Sequence, residues 1–276
     1  MPKPVWPNFF IVGAARAGTT SLFQYLKLVP GVHMSVVKEP HYFGNNYRGR
    51  TETEYLALFE GARENQAIGE ASVSYLRHPE APSKIKEAAP HARIIIMLRD
   101  PVERIYSHYF EFVRSEASNL TFEEAAVMEK HNQDTSCCGF VKRYFDVFGT
   151  DRVKIIVFEE FVIDPRRTVG DVMKFLGVPG PVPDFEARAY NSYAAPRAPL
   201  ARGILSSNRY RRLWRAVAPA FLRQKISRRQ VLFRAAEKPP MADETRRFLQ
   251  EKFRPDVECL EKLLGRPLPW YHRKTV

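Results

Sequence analysis

Apolar residues gather along this chain in short blocks rather than in strict alternation with polar ones. The blocks from Phe9 to Val12, Val32 to Ser35, Ala67 to Glu70, Arg93 to Leu98 and Val153 to Phe158 predict strands covered on both faces. Between them apolar positions take helical spacing, as in Leu22, Tyr25, Leu26 and Val29 at i, i+3, i+4 and i+7. Helix starts are marked by Asp100-Pro101-Val102-Glu103, Thr121-Phe122-Glu123-Glu124 and Asp164-Pro165, each offering a capping side chain before a proline or an acidic first turn. Strands alternating with helices predict an α/β fold with a central, mostly parallel sheet flanked by helices. The pattern weakens from about Phe185 to Pro240, where Tyr210 to Val217 and Phe221 to Ile226 read as short basic amphipathic helices. The segment from Ala242 to Trp270 reads as a C-terminal helix with Phe248, Leu249, Phe253, Val257, Leu260, Leu263 and Leu264 on its apolar side.

The first strand runs into Gly13-Ala14-Ala15-Arg16-Ala17-Gly18-Thr19-Thr20-Ser21, a glycine-bounded loop that opens a helix. Glycines permit the sharp turn, and the free N–H groups and dipole of a helix N-terminus favour an anion. The loop nearly spells the nucleoside triphosphatase pattern GxxxxGK[ST], but Thr19 stands where that pattern needs lysine. This speaks against an ordinary ATPase or GTPase. The cation sits instead at Arg16, inside the loop. Short glycine turns between strand and helix also occur without any ligand.

Composition narrows the rest. The 276 residues suffice for one large α/β domain, and 43 Lys and Arg against 31 Asp and Glu give a formal charge of +12, which implies an anionic partner. No DNA- or RNA-binding motif accompanies the charge, so nucleic acid is not the expected partner. The chain has neither a run of apolar residues long enough for a membrane span nor a signal peptide, and an intracellular, cytoplasmic protein is expected. Three cysteines, Cys137, Cys138 and Cys259, fit neither a disulfide framework nor zinc spacing and are expected to be reduced thiols.

A second informative segment is the apolar strand that ends in Arg99 and continues into a helix carrying Ser107 two turns on. Strand carboxyl ends are where open α/β sheets bind ligands, and Arg99 can fork onto a phosphate while the Ser107 hydroxyl adds a hydrogen bond. Pairing of Arg99 with Asp100 or Glu103 is the plainer alternative.

Together these segments resemble the sulfotransferases that use 3′-phosphoadenosine 5′-phosphosulfate (PAPS), in particular the bacterial carbohydrate-type branch related to heparan sulfate sulfotransferase domains. Gly13 to Leu22 is similar to the family's 5′-phosphosulfate loop, Val37-Lys38-Glu39-Pro40-His41-Tyr42-Phe43 to the segment after its second strand, and Gly69-Glu70-Ala71-Ser72 to its third strand edge. Leu98 to Tyr109 resembles the 3′-phosphate strand and helix, and Val157 to Phe161 with Asp164-Pro165 and Phe175 to Val178 resemble later blocks. The resemblance implies a P-loop-like core and a single sulfotransferase domain over 1–276, with 1–184 as the PAPS-binding α/β core and 185–276 as a helical, basic covering region. It implies that Arg16, Ala17, Gly18, Thr19, Thr20 and Ser21 surround the 5′-phosphosulfate and that Arg99 and Ser107 take the 3′-phosphate. Tyr193, Arg197 or Arg202 would close over the nucleotide.

The resemblance also implies a catalytic glutamate at Glu39, with His41 as the rival base; an extended segment would put both side chains on one side. Sulfuryl transfer to a hydroxyl or amine, expected on a glycan or glycolipid, needs in-line positioning and a base but no metal. Most relatives carry lysine where Arg16 stands, so the role of Arg16 is electrostatic rather than acidic. Cys137 takes the place of a tyrosine near the acceptor. For the basic stretch from Arg197 to Arg234 the readings are nucleotide closure, peripheral contact of Trp214, Phe221 and Leu222 with an anionic membrane, or a solvated face. The competing functions are a P-loop nucleotide kinase and a non-enzymatic nucleic-acid or anionic-surface binding module; oligomeric state is not legible.

Overall fold

The computed structural model describes residues 5–45, 49–116, 121–127, 136–186, 194–196, 233–235 and 239–271. Tyr193, Arg197, Arg202, Trp214, Phe221, Leu222 and the two short basic helices expected around them lie outside the described residues.

Five strands form one sheet: β1 (Phe9–Gly13), β2 (Val32–Met34), β3 (Ala67–Ala71), β4 (Arg93–Leu98) and β5 (Val153–Val157). Their ends fall within a residue of the apolar blocks. The order is β2-β3-β1-β4-β5 and every described pair is parallel, with Phe9 opposite both Gly69 and Arg93. All residues of β1 and β3 are buried, as a parallel sheet covered on both faces requires. Gly69 is demanded by packing, because a Cβ there would lie 2.2 Å from the Phe9 ring. The chain leaves β1 toward β3 and β2 on one side and returns to β4 and β5 on the other, so β1 marks the switch point whose carboxyl end opens a crevice.

The helices follow in chain order as α1 (Thr19–Leu26), α2 (Glu52–Leu56), α3 (Ala81–Ala88), α4 (Pro101–Glu116), α5 (Phe122–Val127), α6 (Cys138–Phe148), α7 (Phe158–Ile163), α8 (Pro165–Leu176) and α9 (Asp243–Leu264). The expected caps are present. Asp100 Oδ1 accepts the Val102 N–H at 2.8 Å, Asp164 Oδ1 accepts that of Arg167 at 2.9 Å, and Thr121 and Glu124 form a reciprocal capping box. On α9, Leu249, Phe253, Val257 and Leu260 are buried as expected, whereas Phe248 is 47% exposed.

The chain divides into two compact units. Residues 1–104, 134–190 and 250–276 make the first, which holds the whole parallel sheet. Residues 105–133 and 191–249 make the second, with an antiparallel pair, β6 (Ala194–Pro196) and β7 (Phe233–Ala235), and an edge-to-face cluster of Tyr106, Tyr109, Phe110 and Phe122.

The cysteine expectation needs correction. Cys138, at the start of α6, is disulfide-bonded to Cys259 on α9, with Cα atoms 6.0 Å apart across a sequence separation of 121. The cause lies in tertiary packing: the Asp256 carboxylate accepts the N–H groups of Cys137 and Cys138 at 2.8 and 3.0 Å, docking α9 on the α6 N-terminus. Cys137 is buried beside the bond. No described helix is long and apolar enough to cross a membrane.

Candidate active site

The loop after β1 is held by its neighbours in the sheet. Ala14 N donates to Met97 O at 2.7 Å, and Leu76 N donates to Val12 O at 2.8 Å. Gly18 sits at φ 89°, and a Cβ on it would come 2.8 Å from the Phe158 ring, so the helix start tolerates no side chain there. Gly18 gives α1 no side-chain cap, and its first turn contains no acidic residue. The N–H groups of that turn have no intrahelical acceptors and are suited to an anion. Ala17 and the hydroxyl residues Thr19 and Ser21 are buried here, with Thr20 half-buried.

Arg99 closes the opposite side. Its Nη1 donates to the Arg16 carbonyl at 3.0 Å and its guanidinium stacks 4.4 Å from the centre of the Phe158 ring. Its Nε is buried without a hydrogen-bond partner. Burial lowers the Arg99 pKa, while Glu103, Glu159 and Asp100 pull it the other way. Asp100 is engaged as the α4 cap, and Glu159 accepts both the Asp100 N–H at 3.2 Å and the Trp270 indole N–H at 2.9 Å. Ser107 is buried on α4, two turns beyond Pro101. Within the first unit, an orphaned guanidinium nitrogen, an uncapped helix end and the buried hydroxyls of Thr19 and Ser21 make a donor-rich set that fits phosphate and sulfate oxygens.

At the same edge of the sheet stand Glu39 and His41. Glu39 N donates at 2.9 Å to the carbonyl of Ala71, the last residue of β3. One carboxylate oxygen pairs with Lys38; the other accepts the Val73 N–H at 2.9 Å and lies 3.7 Å from His41 Nε2. The ring is fixed from behind by Ser74 Oγ, 2.8 Å from Nδ1. The extended segment expected from the sequence is not what joins them. Glu39 and His41 have φ of 61° and 58°, and the two left-handed turns bring the side chains together. With Arg16 at 66°, these are the only non-glycine residues of positive φ among the described residues. Such conformations cost about 1–3 kcal/mol each and gather where geometry serves a site.

Comparison with known proteins decides the family. A model described as the sulfotransferase family matches residues 63–184. The crystal structure of a sulfotransferase from Alicyclobacillus acidocaldarius is 33% identical, covers 96% of this chain and 98% of that one, and superposes with a TM-score of 0.71. The chain belongs to the sulfotransferase family. Among curated relatives, the bifunctional heparan sulfate N-deacetylase/N-sulfotransferase 4 of Mus musculus is 26% identical over 98% of this chain and 31% of its own. The human heparan sulfate glucosamine 3-O-sulfotransferase 6 is 29% identical over 65% of this chain and 54% of its own. The chain thus spans about a third to a half of these relatives' length. A mouse sulfotransferase solved with PAP shares the fold at 16% identity, covering 94% of this chain and 88% of that one with a TM-score of 0.51.

Other features of this sulfotransferase's site escape a linear reading. Phe158 both stacks on Arg99 and covers Gly18, a role visible only once β5 is placed beside β4. Glu70 on β3 is fully buried, and burial pushes its carboxyl up to about 7 against the opposing hydrogen bonds of Ser72, Tyr55 and Tyr75. A glutamate inside the apolar strand Ala67–Ala71 was the available signal.

Proposed function

We propose that this sulfotransferase moves a sulfuryl group from PAPS to a hydroxyl or amine of a glycan or glycolipid acceptor, with Glu39 as general base. The observation that carries this is the gathering of Arg16, Glu39 and His41, the non-glycine residues of positive φ among the described residues, at the sheet edge that also bears the uncapped α1 and Arg99. The names of the relatives, which sulfate heparan and other carbohydrates, support the acceptor class. No observation favours the kinase or nucleic-acid alternatives.

PAPS supplies an activated sulfuryl group on a phosphate and, as a second handle, a 3′-phosphate. The residues of this chain do the rest. The N–H groups of Thr19, Thr20 and Ser21 with the fixed charge of Arg16 hold the 5′ end and offset charge on the departing phosphate. Arg99 and Ser107 recognise the 3′-phosphate, and Tyr193 and Arg197 cover the nucleotide. Glu39 takes the acceptor's proton on its carboxylate, while Lys38 and the Val73 N–H hold that carboxylate in place. His41 is the second reading for the base, favoured by the Ser74 contact that points Nε2 toward Glu39. The whole chain acts as a single domain, residues 1–184 binding PAPS and 185–276 covering cofactor and acceptor, and the chemistry uses no metal.

Labelled PAPS incubated with a panel of heparosan, chondroitin and glycolipid acceptors tests the activity directly; label retained by PAPS with every acceptor would overturn the acceptor class. The cytoplasmic placement, with peripheral contact to an anionic membrane, is put to the test by the disulfide. A reducing cytoplasm keeps such thiols free. Alkylation of Cys138 and Cys259 in intact cells would support that compartment, and protection of both would exclude it.

A further inference from the structure

Beneath the Glu39 segment lies a buried network whose proton directions are dictated by its donors. Glu70 Oε1 is 2.8 Å from the Tyr55 hydroxyl and 2.9 Å from that of Tyr75, and Oε2 is 2.7 Å from Ser72 Oγ. Two of these hydroxyls have a second partner. Ser72 Oγ accepts the His41 N–H at 3.1 Å, and the Tyr75 hydroxyl accepts the Phe43 N–H at 3.2 Å. A backbone N–H can only donate, so each hydroxyl accepts there and has its single proton to give; Glu70 is the carboxylate acceptor both reach, and Ser72 also hydrogen-bonds the Tyr75 hydroxyl. An ionised Glu70 receives all three protons and leaves both hydroxyls open to the backbone at residues 41 and 43. A protonated Glu70 brings a fourth proton into the same space, and one buried hydroxyl loses its acceptor.

We propose that Glu70 is a positioning residue for the catalytic segment: through Ser72 and Tyr75 its carboxylate clamps the backbone of His41 and Phe43 and so holds Glu39 and His41 in their converging left-handed conformation. This rests on the reading of Glu39 and His41 as the base pair of the site. It goes beyond that reading by making the ionisation of a residue that never touches substrate a condition of base geometry. The groups facing Glu70 are Tyr55 from α2, Tyr75 from the turn after β3, Tyr144 from α6 and Glu39 from the segment itself. Glu39 and the burial of Glu70 both favour its neutral form, while the hydroxyls of Ser72, Tyr55 and Tyr75 favour the ionised one. Their balance leaves the Glu70 carboxyl raised to about 7.

The test is amide hydrogen exchange of the full chain, which needs no acceptor. In the unmodified protein the protection of the His41 and Phe43 amides, corrected for intrinsic exchange, should rise about two- to tenfold as pH passes upward through about 7, the worth of one net hydrogen bond. Glu70→Gln should abolish that rise at both amides. Ser72→Ala should release His41 alone, Tyr75→Phe should release Phe43 alone, and Tyr55→Phe, whose hydroxyl touches neither amide, should release neither. These hydroxyl variants keep the proposal testable if Glu70→Gln does not fold. Protection independent of pH in the unmodified protein, or equal effects from Tyr55→Phe and Tyr75→Phe, would overturn it. A Glu39→Gln enzyme with full turnover would remove the base assignment and leave this exchange pattern intact, so the two failures are separable.

Discussion

Glu39 holds its place by three separate restraints: the Lys38 ammonium, the Val73 N–H and its own N–H bond to Ala71. A carboxylate so anchored can receive a proton without moving, whereas a glutamine in the same place keeps the shape and loses the basicity. Glu39→Gln should therefore lower kcat by about 10²–10⁴ while leaving PAP affinity within twofold, read by labelled PAPS turnover and calorimetry. Arg99 makes a different promise. Its buried Nε lacks a partner and its stacking on Phe158 fixes the fork, so Arg99→Ala should cost about 1.5–3 kcal/mol of PAP binding and bring PAP and AMP to similar affinity. Equal binding of PAP and AMP by the unmodified chain would instead remove the 3′-phosphate assignment. Arg16, Arg99 and Ser107 could be singled out as candidates because loop, strand end and helix start are local, and Glu39 because its segment resembles the family's; the roles of all four belong to the proposal. Glu70 could not. Its partners Tyr55 and Tyr75 come from separate turns, and only the fold reveals that their hydroxyls meet one carboxylate.

At the scale of elements, the strands and caps followed from the chain because each depends on a few consecutive residues, as Asp100 and Asp164 show. Phe248 shows the limit of periodicity: it shares the helical stripe of α9 but stays 47% exposed while Leu249, Phe253, Val257 and Leu260 are buried. The link between α6 and α9 was illegible for another reason. Nothing in the spacing of Cys138 and Cys259 signals a pair separated by 121 residues. The closed loop is long, so the cross-link limits the unfolded chain strongly and contributes about 2–5 kcal/mol. Urea unfolding with and without reductant should show a loss in that range, and a Cys138→Ser, Cys259→Ser double variant should lose the response to reductant. Asp256 supports the same junction with two N–H bonds, and Asp256→Ala should cost a further 1–2 kcal/mol or about that by cap loss. An unchanged midpoint in reductant would mean that the packing of α9, not the bond, holds this corner.

For the molecule as a whole, the fold and the chemistry make opposite demands on buried acids. Glu70 rises from 4.5 to about 7 and Asp100 from 3.8 to about 6, both chiefly through burial. An acid whose folded pKa lies above its unfolded one binds its proton more tightly in the folded state. Its contribution to stability is therefore greatest below both values, falls as pH rises between them, and is flat above. For Asp100 the fall runs from about 4 to about 6, and for Glu70 from about 4.5 to about 7, each at most about 3 kcal/mol. Asp100→Asn keeps a capping oxygen and removes the charge, and Glu70→Gln removes the other. In urea unfolding of the full chain, the stability lost between pH 4.5 and pH 8 should be smaller in either variant than in the parent, and smallest in the double variant. Variants that lose as much as the parent would show that neither acid is strained by burial. Glu70→Gln removes the charge that burial disfavours, but it also puts amide N–H donors where three hydroxyl protons converge, so its effect on stability has two opposing parts. Its effect on the clamp has one direction: in turnover of labelled PAPS at pH 8 the variant should be the slower enzyme, and turnover equal to the parent's would show that Glu70 does not set the base geometry.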